Sequence, residues 1–100
     1  MKMLVNIIKT YRDVVAVCDA DLLGKRFEEG KFQLDVKESF FKGEKTSEKK
    51  AIEIMQNMLK EDATFNIVGE KSVKAALKAG VISEEGIKKI QNIPFVLVLM

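Results

Sequence analysis

The stretch NIVGEKSVKAALKAG, residues 66–80, decides the fold of this chain. An apolar run ends at Gly69, and apolar residues then recur at helical spacing as far as Gly80. This pattern predicts a strand over 64–68 and a helix over 70–79, with Gly80 as the left-handed C-cap and Val81 folding back on Ala76. A glycine between a strand and a helix also raises the question of a phosphate-binding turn.

Working outward from this unit, the same periodicities predict an α+β fold of one domain over residues 1–100. The predicted order is β-β-β-α-β-α-α-β, with a mixed or mostly antiparallel sheet and helices packed on it. The first two strands form a hairpin, and the second is apolar throughout and therefore central. If the last two strands are parallel neighbours, the helices between them form a right-handed crossover. The predicted strands are 3–9, 14–19, 31–38, 64–68 and 95–100, and the predicted helices are 47–62, 70–79 and 83–92.

The predicted core combines the apolar strand residues with one face of each helix. In the helix over 47–62, Ser47 is the expected N-cap, and the apolar residues share one face by their spacing. The residues expected to be largely buried are Val15, Val17, Leu34, Met55, Leu59, Ile67, Leu77 and Leu97.

Composition excludes several kinds of chemistry. The chain has 100 residues, 17 Lys and Arg against 15 Asp and Glu, no histidine and one cysteine. Without histidine it lacks the commonest general base and metal ligand, and one cysteine cannot form an internal disulfide or a cysteine-rich zinc site. We therefore predict no cofactor and no metal, and a buried, unreactive thiol at Cys18. With no signal peptide and no membrane-length apolar segment, we expect a cytoplasmic protein without a membrane partner.

The turn at Gly69 has two interpretations. As an anion site, Gly69 would allow close approach, Lys71 and Ser72 would supply a charge and a hydroxyl, and the amides of Lys71, Ser72 and Val73 would face solvent. Against this, Glu70 places a negative charge at the same point, and the second glycine of a phosphate loop is missing. The alternative is a structural turn in which the glycine is needed for steric reasons.

A lysine stripe continues from this turn. Lys71, Lys74 and Lys78 share one side of the predicted helix, which suits contact with RNA phosphates, although such stripes are also the ordinary solvated face of a helix.

Two further groups have both a functional and a structural interpretation. Asp19 and Asp21 follow a central strand and could hold magnesium, or cap and form turns. Phe40 and Phe41, with Tyr11, could stack on nucleobases, or belong to the core.

The segments VVAVCDADLLGKRFEEGKFQLDV, FFKGE, NIVGEKSVKAAL and NIP, taken in this order, resemble a small archaeal family catalogued as a domain of unknown function. The resemblance covers nearly the whole chain and implies an archaeal, cytoplasmic, single-domain protein with no established activity. The family pattern has a Pro-His-Ala-Gln segment near the C-terminus, whereas here Pro94 is followed by Phe95, Val96 and Leu97. No catalytic residue is therefore transferred from the family.

Our prediction is a non-enzymatic binding module for RNA or a phosphate-bearing ligand, with RNA or a protein of the information-processing machinery as partner. Gly69, Lys71, Ser72, Lys74 and Lys78 would form the site. One alternative is a protein-interaction subunit that uses Phe40 and Phe41, or the last strand as a free edge. Another is a small-ligand enzyme built on Asp19, Asp21 and Lys71. The sequence predicts no oligomeric state.

Overall fold

A six-stranded mixed sheet organises the protein, and the computed structural model describes residues 2–98. A separate two-stranded ribbon packs beside the sheet, and the α+β class predicted from the sequence is confirmed. The strands are β1 (Met3–Ile8), β2 (Val14–Asp19), β3 (Arg26–Glu29), β4 (Phe32–Asp35), β5 (Glu44–Thr46), β6 (Thr64–Val68), β7 (Lys88–Ile90) and β8 (Ile93–Val98), and the helices are α1 (Glu38–Phe41), α2 (Glu48–Lys60) and α3 (Glu70–Ala79).

The sheet has the strand order β5-β1-β2-β6-β8-β7. β1 and β2 form the predicted antiparallel hairpin, with Val5 opposite Val17. β2 pairs in parallel with β6, and β8 pairs antiparallel with β6 and with β7. The strands β2 and β6 therefore lie at the centre of the sheet, and both of their faces are buried.

The helix face of the sheet is covered by α2 and α3. Ser47 is the N-cap of α2, because its hydroxyl accepts a hydrogen bond from the Lys50 amide at 3.2 Å. Gly80 ends α3 in the left-handed conformation (φ +78°), and the Val81 amide donates to the Ala76 carbonyl, as predicted. The core on this face includes Met3, Val5, Val15, Val17, Met55, Phe65, Ile67 and Val73.

The opposite face, the hairpin face, is covered by shorter elements: the β3–β4 ribbon and the four-residue helix α1. Its core includes Leu4, Ala16, Cys18, Leu22, Leu34, Val36, Phe41, Val68 and Ile90. The predicted strand over 31–38 forms in part, as β4, which is one of the two strands of the ribbon. Its alternation holds for Leu34 and Val36, which are buried, whereas Phe32 is 72% exposed.

The predicted helix over 83–92 is wrong. Only Glu84–Gly86 forms a 3-10 turn, and the following residues form β7, which turns directly into β8. Gln91 and Asn92 both have positive φ, 50° and 66°, as the favoured two-residue hairpin turn requires. The amide of Gln91 donates to a carboxylate oxygen of Glu29 at 2.8 Å, which ties this turn to the ribbon.

Two residues of the predicted core are exposed. Leu59 is 45% exposed and Leu97 is 50% exposed, so their assignment to the core is wrong. Val15, Val17, Leu34, Met55 and Ile67 are buried as predicted, and Leu77 is half-buried. The last strand runs antiparallel to β6, so the conditional crossover does not form, and residues 99–100 of that predicted strand lie outside the described residues.

Candidate functional site

The ends of the parallel strands β2 and β6 meet at one edge of the sheet. From β2 the chain passes to the hairpin face, where Leu22 is buried, whereas from β6 it passes into α3 on the helix face. In open α/β sheets, the crevice where neighbouring parallel strands send the chain to opposite faces is the usual place for a ligand. Here the last residue of β2, Asp19, has its side chain at that point.

Asp19 caps helix α3 from the neighbouring strand. Its side chain accepts hydrogen bonds from the amides of Lys71 at 3.2 Å and Ser72 at 2.8 Å, and from the Ser72 hydroxyl at 2.8 Å. Asp19 is buried and Ser72 is fully buried. The Val73 amide bonds within the helix to the Gly69 carbonyl at 2.9 Å. The three amides expected to face solvent are thus all engaged, and that expectation is wrong.

Gly69 is required by this arrangement. It has φ +109° and ψ 153°, a backbone conformation open almost only to glycine, and a Cβ there would overlap the Asp19 carboxylate. Its amide donates to the Pro94 carbonyl at 2.8 Å. The turn therefore has a complete structural explanation, in which an internal carboxylate occupies the positive end of α3.

The lysine stripe lies beside this junction. Lys71 and Lys74 line a cleft of about 600 Å³ together with Met3, Glu48 and Glu70, which we call the lysine cleft. Lys78 is not part of its lining; its ammonium pairs with the Glu48 carboxylate at 3.1 Å. The structure thus brings together Lys71 and Lys74 on the surface, and places Ser72 in the interior. Anion binding by these side chains stays a prediction.

The two aspartates of the possible magnesium pair have different environments. Asp19 is committed to α3, whereas Asp21 is exposed in the 3-10 turn Ala20–Leu22. Within residues 2–98, no group of three or more Cys, Asp or Glu side chains is arranged to hold a metal ion. The lysine cleft includes Lys71 but neither aspartate, so the three residues of the enzyme hypothesis do not share that cleft.

Cys18 is fully buried on the hairpin face of β2. Burial raises the pKa of its thiol to about 12, and the nearby carboxylates of Asp19 and Asp21 act in the same direction. The thiol is therefore neutral and enclosed at neutral pH, as the sequence predicted.

A second cleft, which the sequence reasoning missed, opens on the hairpin face. It has a volume of about 460 Å³ and is lined by Asn66 of β6, by Leu34, Phe40 and Phe41, and by Leu97; we call it the Asn66 cleft. Asn66 is only 9% exposed. The sequence did carry a signal, because Asn66 is a polar residue between the apolar Phe65 and Ile67 of a central strand.

The aromatic residues of the stacking hypothesis are separated by the fold. Phe41 is buried, Phe40 is half-buried beside it with ring centroids 5.1 Å apart, and Tyr11 is fully exposed in the β1–β2 turn. The last strand is not a free edge, because β8 lies between β6 and β7. The protein-interaction hypothesis therefore cannot use β8 as a free edge.

Comparison with known proteins identifies the family. A family model described as "Protein of unknown function (DUF424)" matches residues 8–100. The chain belongs to the DUF424 family. The resemblance to a domain of unknown function noted in the sequence is thereby confirmed.

A similar fold has been seen in a crystal structure. The chain is similar to an uncharacterized conserved protein from Methanopyrus kandleri, with a TM-score of 0.84 and 24% sequence identity over 100% of this chain and 96% of that chain. At this identity the similarity establishes the fold alone. No curated protein was found to match the chain.

In this DUF424 protein the segment around Pro94 forms β8. Pro94 is buried and its carbonyl holds the Gly69 amide, Phe95 packs on the hairpin face, and Val96 is buried. Among the described residues, no helix is long and apolar enough to cross a membrane.

Proposed function

We propose that this protein is a non-enzymatic, cytoplasmic binding module of archaeal origin for RNA or another phosphate-bearing ligand. The ligand's phosphate lies in the lysine cleft, against Lys71 and Lys74. The observation that carries the proposal is that both lysines line one cleft, beside the start of α3. Gly69 and Ser72 serve the site indirectly, because with Asp19 they fix the start of α3.

Charge in the cleft supports weak, salt-sensitive binding. Lys71 and Lys74 are three residues apart on α3 and are both exposed, so their ammonium groups can reach one phosphate. Glu48 is already paired with Lys78, which leaves Glu70 as the opposing charge. A phosphate contacted by lysines releases counterions, so affinity falls as salt rises.

A titration followed by backbone amide shifts tests the proposal, with inorganic phosphate and a short RNA as probes. Each of Lys71→Ala and Lys74→Ala should weaken RNA binding for all sequences and lower the salt slope by about one phosphate contact. Glu70→Gln should strengthen binding. Lys60→Ala, an exposed lysine in the last turn of α2, is the matched control and should change nothing. Shifts confined to residues outside the lysine cleft would refute the proposal.

A protein-interaction function is the second candidate, favoured by one observation. Phe32 is 72% exposed and Leu97 is 50% exposed, and both line a further cleft of about 360 Å³ between the ribbon and β8. Exposed apolar side chains gathered in this way are typical of interaction surfaces. A partner retained at high salt by the protein, and lost with Phe32→Ser, would favour this function over phosphate binding.

A further inference from the structure

The Asn66 side chain is the least explained polar group among the described residues. The residue is 9% exposed, and its carboxamide makes no hydrogen bond within residues 2–98. No fully buried side-chain polar atom of these residues lacks a partner, so the carboxamide of Asn66 reaches solvent through the cleft that it lines. A polar group of a central strand that has no partner in the chain takes its hydrogen bonds from water or from a ligand. Because Asn66 lines the Asn66 cleft, the free donor and acceptor of its carboxamide remain open to a molecule that enters the cleft.

Asn6 provides a direct contrast. It lies on the same face of the sheet, in line with Asn66 across Ala16. Its side-chain amide donates to the Phe40 carbonyl at 2.7 Å and so holds α1 over the sheet. One asparagine of this row thus has a structural partner within the chain, whereas the other faces the cleft that α1 helps to form.

The walls of the cleft suit a flat, partly apolar molecule. Phe40 and Phe41 meet edge to face at 75°, and Leu34 and Leu97 complete the apolar lining. The volume of about 460 Å³ lies within the range of small-molecule sites. Exposed polar residues, Gln33, Asp35, Lys37 and Ser39, stand at the mouth.

We propose that the Asn66 cleft binds a nucleobase. An asparagine carboxamide matches the adjacent donor and acceptor on a base edge, as in its paired hydrogen bonds with adenine, and aromatic rings stack on base faces. An acyl chain would leave Asn66 without a partner. An extended peptide added to the sheet would need a free edge, and this cleft opens on a face between β4 and β8. Lys37 and Asp35 supply a cation for a phosphate and an acceptor for a ribose hydroxyl.

This proposal uses no residue of the lysine cleft and stands or falls independently of the phosphate site. The base is supplied either by a free nucleoside or nucleotide, or by single-stranded RNA. Adenosine, adenosine monophosphate and a short oligoadenylate separate these sources, and ribose 5-phosphate is the probe without a base.

The test is an amide-shift titration of the whole chain with these four probes. Adenosine should shift residues 33–41 and Asn66, and ribose 5-phosphate should leave them in place. Asn66→Leu should weaken adenosine binding about tenfold or more, the loss of a paired base contact. The same variant should leave the melting temperature nearly unchanged, because no hydrogen bond within the chain is lost, whereas Asn6→Leu should lower it, because the bond to the Phe40 carbonyl is lost.

If Asn66→Leu does not fold, a second variant, Phe40→Leu, tests the proposal, because it keeps an apolar side chain at this position but removes the aromatic face. It should weaken adenosine binding, while Lys71→Ala should not. If adenosine shifts none of these residues, or if all binding requires the phosphate and is lost in Lys71→Ala, the nucleobase proposal is overturned.

Discussion

The two faces of the central sheet are covered by different kinds of element. On the helix face, two regular helices cover the strands, and the buried carboxylate of Asp19 has three hydrogen bonds from α3. On the hairpin face, a ribbon and a four-residue helix leave clefts, Leu97 is half exposed, and the buried Asn66 has no partner among the described residues. Satisfied polar groups and close packing indicate a structural role, so we expect the interior of the helix face to contribute most of the stability. The proposed phosphate site lies on the surface of that face, and the proposed nucleobase site lies within the hairpin face.

The largest effect is expected at Gly69, the tightest point of the helix face. Gly69→Ala should lower the free energy of unfolding by about 4 kcal/mol, since backbone strain and overlap with Asp19 add together. Gly80→Ala is the control, because φ is positive there but no atom lies within 4 Å of the added methyl; it should cost about 1 kcal/mol. Urea unfolding measures both. Equal losses would show that Asp19 does not crowd Gly69.

A second pair of substitutions compares the faces directly. Met55→Ala removes a fully buried side chain from the helix face and should cost about 3 kcal/mol. Leu97→Ala removes a half-exposed side chain from the hairpin face and should cost about 1 kcal/mol or less. Chemical denaturation of both variants checks this. A larger loss for Leu97→Ala would mean that the hairpin face, too, is built for stability.

Replacing Asp19 should lower the free energy of unfolding by less than replacing Gly69. Asp19→Ala leaves two helix amides and the buried Ser72 hydroxyl without their acceptor, at an expected cost of about 2 kcal/mol. The neighbouring Asp21→Ala, at an exposed position, should lie within about 0.5 kcal/mol of the parent. If the two variants unfold at the same urea concentration, water replaces the carboxylate at no cost, and the junction is a potential anion site after all.

Sequence periodicity predicted the helix face well and the hairpin face poorly. The unit over residues 64–80 carries its own local signals, namely β-branched residues, a glycine and a capped helix. The segment over 83–92 misled the prediction, because the spacing of Ile87 and Ile90 would place them on one face of a helix. In the structure Ile87 packs against the core of the helix face and Ile90 against that of the hairpin face. The turn at Gln91 and Asn92, which overrides that spacing, depends on contact with the distant ribbon.

The candidate sites were predictable only in part. Lys71 and Lys74 were placed together by helical spacing. The role of Asp19 was not, because its bond to Ser72 joins residues 53 positions apart, and nothing local marks that pairing. Asn66 was visible as a polar residue in an apolar strand, but its lack of a partner is a property of the packed sheet.

At neutral pH the smallest expected effect is that of Cys18 on the hairpin face, because its pH dependence appears only above pH 9. Its pKa is raised from 9.0 to about 12 in the folded protein, chiefly by burial. Between these values the unfolded chain has lost the thiol proton and the folded chain has kept it. The folded state therefore loses stability as pH rises through that window, by about 1 kcal/mol for each pH unit, and the full contribution is present below pH 9.

Because lysine and tyrosine titrate in the same range, the measured quantity is the difference in unfolding free energy between the parent and Cys18→Ala. That difference should shrink as pH rises above 9. A difference that stays constant would show that water reaches the thiol, and that the hairpin face is open around Cys18 as well as at Asn66.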